Sequence, residues 1–176
     1  MLLKVEKRWV IAFIITAIVA MVSLFWPTKL PDASSGVFLE ENNLVGADIA
    51  WLLASSGLVL LMTPGLSFFY GGMVGKKNVI STMLQSFIAL GVISLVWVVV
   101  GFSLSFGDSL GFYIGKEHYG IIGNPFSFTF FNQVGVLPHS KMASTVPFIL
   151  FALFQMKFAV ITPAIITGSF AERVRF

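Results

Sequence analysis

The residues best suited to chemistry in this chain lie inside an apolar stretch, FQMKFAVITP, at residues 154–163. The run from Met142 to Ala171 around it contains a single charge, Lys157, and Gln155 lies two positions before that lysine. A polar group in hydrocarbon is costly unless a partner or a water satisfies it. The stretch therefore predicts a membrane helix in which the amide and the cation have specific partners.

Aromatic residues in this run fall on one face of the predicted helix. Phe151, Phe154, Phe158 and Ile165 are spaced by three, four and seven residues, which places them on the same side. Lys157 precedes Phe158 by one residue and therefore points about 100° away from that face. Packing is the usual role of such a stripe. For Lys157 we expect carbonyls or waters against a neighbouring helix; the alternative is a charge near enough to the aromatic face to oppose a cation.

The composition indicates a membrane protein. Of the 176 residues, 57% are hydrophobic and 11% are charged, whereas soluble domains carry about 25% charged residues. The absence of cysteine excludes disulfides and thiolate metal sites, and His118 and His139 alone do not form a zinc site. The basic residues lie at the ends of apolar segments, which argues against nucleic-acid binding. We therefore expect no metal site.

Changes in composition divide the chain into apolar runs and polar connections. Residues 1–26 form a basic segment followed by an apolar run, which predicts a signal peptide or an N-terminal anchor helix. Only a weak cleavage site near Ala33 follows, which favours the anchor. Residues 27–47 predict an external linker. Three spanning helices are predicted at about residues 48–75, 78–106 and 141–170.

Glycine and proline refine this division. Pro64-Gly65 interrupts the first predicted span, a break that neighbouring helices can tolerate. Residues 107–140 are apolar but rich in glycine and proline, which predicts a structured external loop instead of a span. Gly71 and Gly75 form a small-xxx-small pair that predicts close helix contact.

Charges at the ends of the apolar runs predict the orientation, because basic residues mark the cytoplasmic side of a membrane protein. If the first run spans, one side collects Lys4, Lys7, Arg8, Lys76, Lys77, Arg173 and Arg175. The other side collects Asp32, Glu40, Glu41, Asp48, Asp108 and Glu117. We therefore expect a multi-pass protein of the cell membrane, with the chain end at Phe176 in the cytoplasm.

Two longer segments resemble one protein family. The first, DIAWLLASSGLVLLMTPGLSFFYGGMVGKKNV, begins at Asp48, and the second, FQMKFAVITPAIITGSFAERVRF, ends at Phe176. Their order, the PG-x3-FYGG stretch and the Q-x-x-F-A-x-I-T…G-x-x-AER block resemble the ammonium transporter family (Amt/Mep/Rh). The resemblance covers residues 48–176 and corresponds to the first three of the family's eleven helices. It implies an all-α integral membrane fold, preceded here by the signal or anchor helix.

The resemblance also implies roles for particular residues. Phe154 resembles the aromatic residue of the family's external vestibule, Gln155 the polar residue beside it, and Phe158 one phenylalanine of the gate below. The residues that resemble lining positions of the hydrophobic channel are Leu66, Phe69, Tyr70 and Ile165. A ring face attracts a small cation by about 0.5–2 kcal/mol, and ammonium, unlike potassium, can lose a proton in a dry constriction. The implied function is transport of ammonium or ammonia, with no cofactor and no enzymatic activity.

The implied partners are the lipid bilayer and, for the full-length protein, two further copies in a homotrimer; a cytoplasmic regulatory protein is a further expectation. The family's paired pore histidines have no counterpart here, because His118 and His139 fall in the external loop. We therefore expect the N-terminal part of a longer transporter, inactive alone. The alternatives are an ammonium sensor of the same fold and a helical membrane scaffold that does not transport.

Overall fold

Helices make up most of the described chain. The computed structural model describes residues 7–114 and 117–173, with the backbone alone at residues 7–9, 12, 117 and 118. The helices are α1 (Lys7–Phe25), α2 (Gly46–Met73), α3 (Val79–Phe106) and α4 (Phe148–Phe170). Helices α2, α3 and α4 pack on one another, and each is long and apolar enough to cross a membrane. The predicted all-α membrane fold is confirmed; the charges predicted to orient it at Lys4 and Arg175 lie outside the described residues.

Helix α2 passes through Pro64 without a break, although the sequence predicted an interruption there. Proline removes one backbone hydrogen bond from a helix. The helix continues within a packed bundle: α2 contacts both α3 and α4, with Ser56 and Thr63 buried before the proline and Ser67 and Gly71 buried after it. One lost bond is tolerated in a membrane helix when tertiary packing holds its flanks.

Small and hydroxylated residues are buried where the helices pack. They are Ser56, Thr63, Ser67 and Gly71 on α2, and Thr82 and Ser86 on α3. Of these, Ser67 and Gly71 contact α3. The Ser67 hydroxyl donates to the carbonyl of Met83 at 3.1 Å. A Cβ at Gly71 would lie 3.0 Å from Cγ of Met83. Small residues thus allow the two helices to approach closely, as they do in other membrane bundles.

The two ends of the bundle carry different connections. At one end, called here the loop end, lie residues 26–45, 107–114 and 117–147. At the other, the turn end, lie the α2–α3 turn at residues 74–78 and the segment after α4, residues 171–173. The loop end contains the main aromatic core, in which Phe102 and Phe148 are fully buried with ring centroids 5.4 Å apart.

A two-stranded antiparallel sheet begins the long connection at the loop end. Strand β1 (Ser109–Ile114) pairs with β2 (Glu117–Gly123), with a bulge between Leu110 and Gly111. The sequence predicted a structured loop here but no strands. A Cβ at Gly111 would collide with the carbonyl oxygen of Tyr119, so glycine permits the close approach of the two backbones.

Helix α4 begins at Phe148 and not near residue 141, where the sequence predicted its start. Residues before it form a tight turn in which His139 and Ala143 exchange two backbone hydrogen bonds, of 2.9 and 3.0 Å. Pro147 then precedes the first helical residue, where its missing N–H leaves no donor unsatisfied. The start was predicted too early because residues 142–147 carry no charge, so the uncharged run begins before the helix does.

Candidate functional site

The phenylalanines predicted for the vestibule and the gate form a pair on α4. The ring centroids of Phe154 and Phe158 are 5.1 Å apart, with an interplanar angle of 77°. This edge-to-face arrangement is favourable for aromatic rings. Phe154 is half-buried, whereas Phe158 is 42% exposed. The pair therefore lies at the edge of the described bundle, with part of one ring uncovered.

The polar residues of the same stretch are both half-buried. The Lys157 ammonium donates to the carbonyl of Leu153, one turn earlier in the same helix, at 3.0 Å. This contact is of the carbonyl type expected for Lys157, but the partner belongs to its own helix and not to a neighbour. Gln155, predicted to lie beside the vestibule ring, is partly accessible next to Phe154.

Tyr70 joins α2 to α4 next to Ile165. Its hydroxyl donates to the carbonyl oxygen of Ile165 at 2.8 Å. Gly168, one turn further along α4, faces the same ring, and a Cβ there would lie 2.5 Å from it. The glycine of the G-x-x-AER block therefore makes room for the tyrosine of the FYGG stretch. The structure brings together two residues, Tyr70 and Ile165, that the sequence assigned to the channel wall.

The other predicted lining residues lie on α2 near Tyr70. Phe69 is 61% exposed and meets the Tyr70 ring edge-on, with centroids 5.5 Å apart. Leu66, one turn earlier, is half-buried. The predicted site residues thus form two groups, one around Phe154 and Phe158 and one around Tyr70 and Ile165. Seven residues separate Phe158 from Ile165, about 10 Å along the helix axis.

A contact that the sequence did not predict fixes α4 against α3. The indole N–H of Trp97 donates to the carbonyl of Ala152 at 3.1 Å, and both residues are buried. Trp97 begins a π-helical turn, Trp97–Gly101, within α3. Such turns widen the backbone locally and are frequent at functional sites. The signal that could have revealed this contact is a tryptophan, with its N–H donor, inside a run of aliphatic residues.

At the turn end, Glu172 ties the last helix to the α2–α3 turn. Its carboxylate accepts the backbone N–H of Gly75 at 2.6 Å and the side-chain amide of Asn78 at 3.1 Å. These hydrogen bonds hold the pKa of Glu172 below its ordinary value. The sequence had paired Gly75 with Gly71 as a helix contact. That prediction was right for Gly71 but wrong for Gly75, because α2 ends at Met73.

Comparisons with known proteins agree with these motifs. A model described as the Ammonium Transporter Family matches residues 50–176. The ammonium transporter of Bacillus subtilis is 44% identical over 129 residues, which make up 73% of this chain and 29% of that protein. The ammonium transporter of Mycobacterium tuberculosis is 41% identical over 140 residues, 74% of this chain and 28% of that protein. The chain therefore spans less than a third of the length of the curated relatives it matches.

A solved structure shows the same arrangement of helices. The crystal structure of Saccharomyces cerevisiae Mep2 is similar with a TM-score of 0.61 and 32% sequence identity, over 77% of this chain and 29% of that one. The family match covers well over half of the chain and includes both motif segments and helices α2, α3 and α4. From its sequence and its fold, the chain belongs to the ammonium transporter family.

Proposed function

We propose that this chain forms part of the wall of a pore that conducts ammonium or ammonia. The observation that carries the proposal is the Phe154–Phe158 pair, packed edge to face on a partly uncovered side of α4. The membrane fold and the family membership support transport as the activity. The identity of the curated relatives supports ammonium as the substrate.

In this proposal the aromatic residue Phe154 and the polar residue Gln155 belong to an outer vestibule. The face of a benzene ring carries partial negative charge and attracts a desolvated cation. The half-buried Gln155 amide adds a hydrogen-bonding group beside that ring. Ammonium can donate hydrogen bonds to such an oxygen, whereas potassium cannot, so the combination favours ammonium over a cation of similar size.

Phe158 then forms the gate, and Leu66, Phe69, Tyr70 and Ile165 line the hydrophobic channel beyond it. An apolar constriction excludes water and the hydrated forms of ions. The Tyr70–Ile165 hydrogen bond supports this role because it fixes the spacing between α2 and α4 at the lining positions. Phe69, Phe158 and Ile165 all keep exposed surface that further helices can cover.

The loop end faces the outside of the cell in this proposal. Lys76, Lys77 and Arg173 lie at the turn end, and basic residues mark the cytoplasmic side. Residues 1–26 remain attached as an anchor helix, and sequencing the N terminus of the membrane-purified protein tests this point. A mature start near Ala33 would contradict it. Assembly as a homotrimer and a cytoplasmic regulatory partner stay predictions.

The three helices α2, α3 and α4 cannot enclose a pore by themselves, because the face with Phe158 and Ile165 is left uncovered by the described residues. We therefore expect the 176-residue chain alone to give only background uptake of methylammonium in transporter-deficient cells. Uptake above background would contradict the proposed architecture. In the complete protein, ammonium binding without flux would favour the sensor alternative, and neither binding nor flux would favour a scaffold.

The decisive experiment compares two neighbouring residues in the complete protein, reconstituted in membranes. Phe158→Ala removes the ring from the proposed gate and admits water, so we expect potassium leak or loss of ammonium transport. Lys157→Met removes the charge at similar length, and we expect selectivity to be kept because this side chain bonds to its own helix. Ammonium-evoked and potassium-evoked currents measure both. Normal selectivity in Phe158→Ala together with altered selectivity in Lys157→Met would reverse the assignment of the pore-facing side.

A further inference from the structure

Residues 26–45, called here the strap, lie between α1 and α2 and outside the region matched by the family model, residues 50–176. Their sequence is polar and rich in turns, and it suggested no more than a linker. In the structure the strap lies alongside the connection that leads into α4. It pairs with that connection through backbone hydrogen bonds at several places along its length.

The first half of the strap holds a strained part of this connection. Trp26 packs on Phe130 with ring centroids 5.3 Å apart. The backbone N–H of Lys29 donates to the Asn132 side-chain oxygen at 2.6 Å, and the Lys29 carbonyl accepts from Gln133 N–H at 3.1 Å. Phe130 and Gln133 have φ values of 53° and 60°, which non-glycine residues rarely adopt. Such strain persists only where the surroundings over-determine the conformation.

The second half of the strap pairs with the turn before α4. Phe38 and His139 are antiparallel partners, flanked by the bonds Leu39 N–H to Pro138 O at 2.8 Å and Ser140 N–H to Val37 O at 3.0 Å. This stretch of the connection in turn accepts hydrogen bonds from the first turn of α4. Gly135 O accepts from Ile149 N–H at 3.0 Å, and Leu137 O from Phe148 N–H at 3.4 Å. The N–H groups at a helix start have no partner within the helix, so these bonds fix where α4 begins.

Three aromatic rings pack together where the strap meets the turn before α4. The His139 ring lies 4.8 Å from the Phe148 ring and 5.4 Å from the Phe38 ring, centroid to centroid. All three residues are buried. Nδ1 of His139 accepts the backbone N–H groups of Lys141 and Met142 at 3.3 and 3.4 Å. The strap, the turn and the first residue of α4 therefore share one cluster.

We propose that Phe38 and His139 are positioning residues, through which the strap sets the outer end of α4 and, one to three turns later, the Phe154–Phe158 pair. Phe148 continues this cluster along the helix, because its ring stacks on Phe151 at 6.1 Å and 10°. The inference rests on the proposed function only where it concerns transport. Attachment of the strap is tested separately.

Protonation of His139 gives the cluster a pH dependence. A proton on Nδ1 removes the acceptor of the Lys141 and Met142 N–H groups. Burial lowers the pKa of His139 below its ordinary value of 6.5, Lys141 on the same turn lowers it further, and Asp108 after α3 opposes them. Among the described residues, the strap contributes the Phe38 ring and α4 the Phe148 ring to the surroundings of His139, and neither carries a charge. A cavity of about 540 Å³ beside His139, lined also by Asp108 and Lys141, admits water and protons.

The sign of the effect follows from the lowered pKa. The folded cluster favours the neutral ring, so its stabilisation is complete above pH 6.5 and is lost as the pH falls from 6.5 towards the lowered pKa. The strap should therefore loosen in acid. An asparagine at position 139 provides a matched control, since its side-chain oxygen can replace Nδ1 as the acceptor but cannot be protonated.

Thiol labelling tests the strap directly, because the chain contains no cysteine. The probe is a polar maleimide added to membrane fragments open on both sides. Ala143→Cys places a thiol in the cluster, where the residue is 5% exposed, and Val136→Cys provides an accessible reference at 58%. We expect the thiol at position 143 to react at least about tenfold more slowly than the one at 136. Adding Phe38→Ala should remove most of this difference, whereas adding Val37→Ala, an exposed neighbour on the strap, should not.

The pH arm uses the ratio of the two labelling rates, which cancels the pH dependence of the thiol itself. The rate at position 143 divided by the rate at position 136 should rise as the pH is lowered from 7.5 to 5.5 in the otherwise unchanged chain. With His139→Asn this ratio should stay constant. If neither Phe38→Ala nor the change of pH alters the ratio of the two labelling rates, the inference is overturned. A rise that persists with His139→Asn would overturn the role of His139.

The transport arm uses the complete protein and methylammonium uptake. Phe38→Ala should raise KM or weaken selectivity at equal amounts of protein in the membrane, and Val37→Ala should change neither. If the unaltered complete protein does not transport, the proposed function fails and the labelling result still stands. If labelling shows a free strap while uptake is normal, the proposed function stands and this inference fails.

Discussion

The two halves of α4 carry phenylalanines in opposite environments. Phe148, at the loop end, is fully buried against the rings of Phe102, Phe128 and His139. Phe158, less than three turns later, is 42% exposed, and within the described part of the chain its ring packs on Phe154. Both belong to one apolar run, so composition does not distinguish them. The difference indicates that the first half of the helix is held by this chain's own core, whereas the second half presents a face that other helices can complete.

The largest expected effect separates these two phenylalanines by stability. Phe148→Ala should lower the free energy of unfolding by about 3–5 kcal/mol, because it opens a cavity among packed rings. Phe158→Ala should cost less than about 1.5 kcal/mol, because much of the ring is already exposed. Unfolding in mixed detergent micelles, followed by tryptophan fluorescence, measures both values. Equal losses would erase the distinction between the two halves of α4.

A medium effect is expected where α4 meets Tyr70. Gly168→Ala places a methyl group 2.5 Å from the Tyr70 ring and should cost about 1–3 kcal/mol through overpacking. Gly72→Ala is the matched control, since open space surrounds that position and alanine favours a helix by about 0.5–1 kcal/mol. Detergent unfolding of the pair compares them. If Gly168→Ala leaves the free energy of unfolding unchanged, Tyr70 can move away from α4 at little cost.

The smallest expected effect concerns the link between α3 and α4. Trp97→Phe keeps an aromatic ring but removes the donor to Ala152. Loss of one buried hydrogen bond should lower the free energy of unfolding by about 0.5–1.5 kcal/mol. The smaller ring of phenylalanine should lower it slightly further. The same unfolding assay applies, with Trp51→Phe, an exposed tryptophan on α2, as the control. A loss no larger than that of the control would show that ring packing alone fixes α4.

The spans and the family could be predicted from the sequence because both depend on local patterns. A membrane helix needs an uninterrupted apolar length, and the runs that form α2 and α3 supply it. The edge-to-face pair of Phe154 and Phe158 follows from their spacing of four residues on one helix. The residues quoted for the resemblance, from FYGG to AER, lie in the part of the chain that the family model matches.

Contacts between distant residues could not be predicted in this way. Trp97 and Ala152 are 55 residues apart, and Gly75 and Glu172 are 97 residues apart. Neither pair has a periodic signature. The β1–β2 hairpin and the turn before α4 were missed for another reason. Glycine in the hairpin predicts a loop as readily as a strand, and the uncharged run that predicted α4 begins at Met142, within the turn.

The carboxylate of Glu172 has a consequence for biosynthesis. Its partners Gly75 and Asn78 precede it by 97 and 94 residues. At about 5–20 residues per second, a ribosome needs about 5–20 s to make the intervening chain. During that interval the hairpin of α2 and α3 has no carboxylate at its turn, and contacts such as the Ser67–Met83 hydrogen bond keep the two helices together. The hydrogen bonds from Gly75 and Asn78 can form only after α4 has emerged, so the turn end is the last part of this bundle to close.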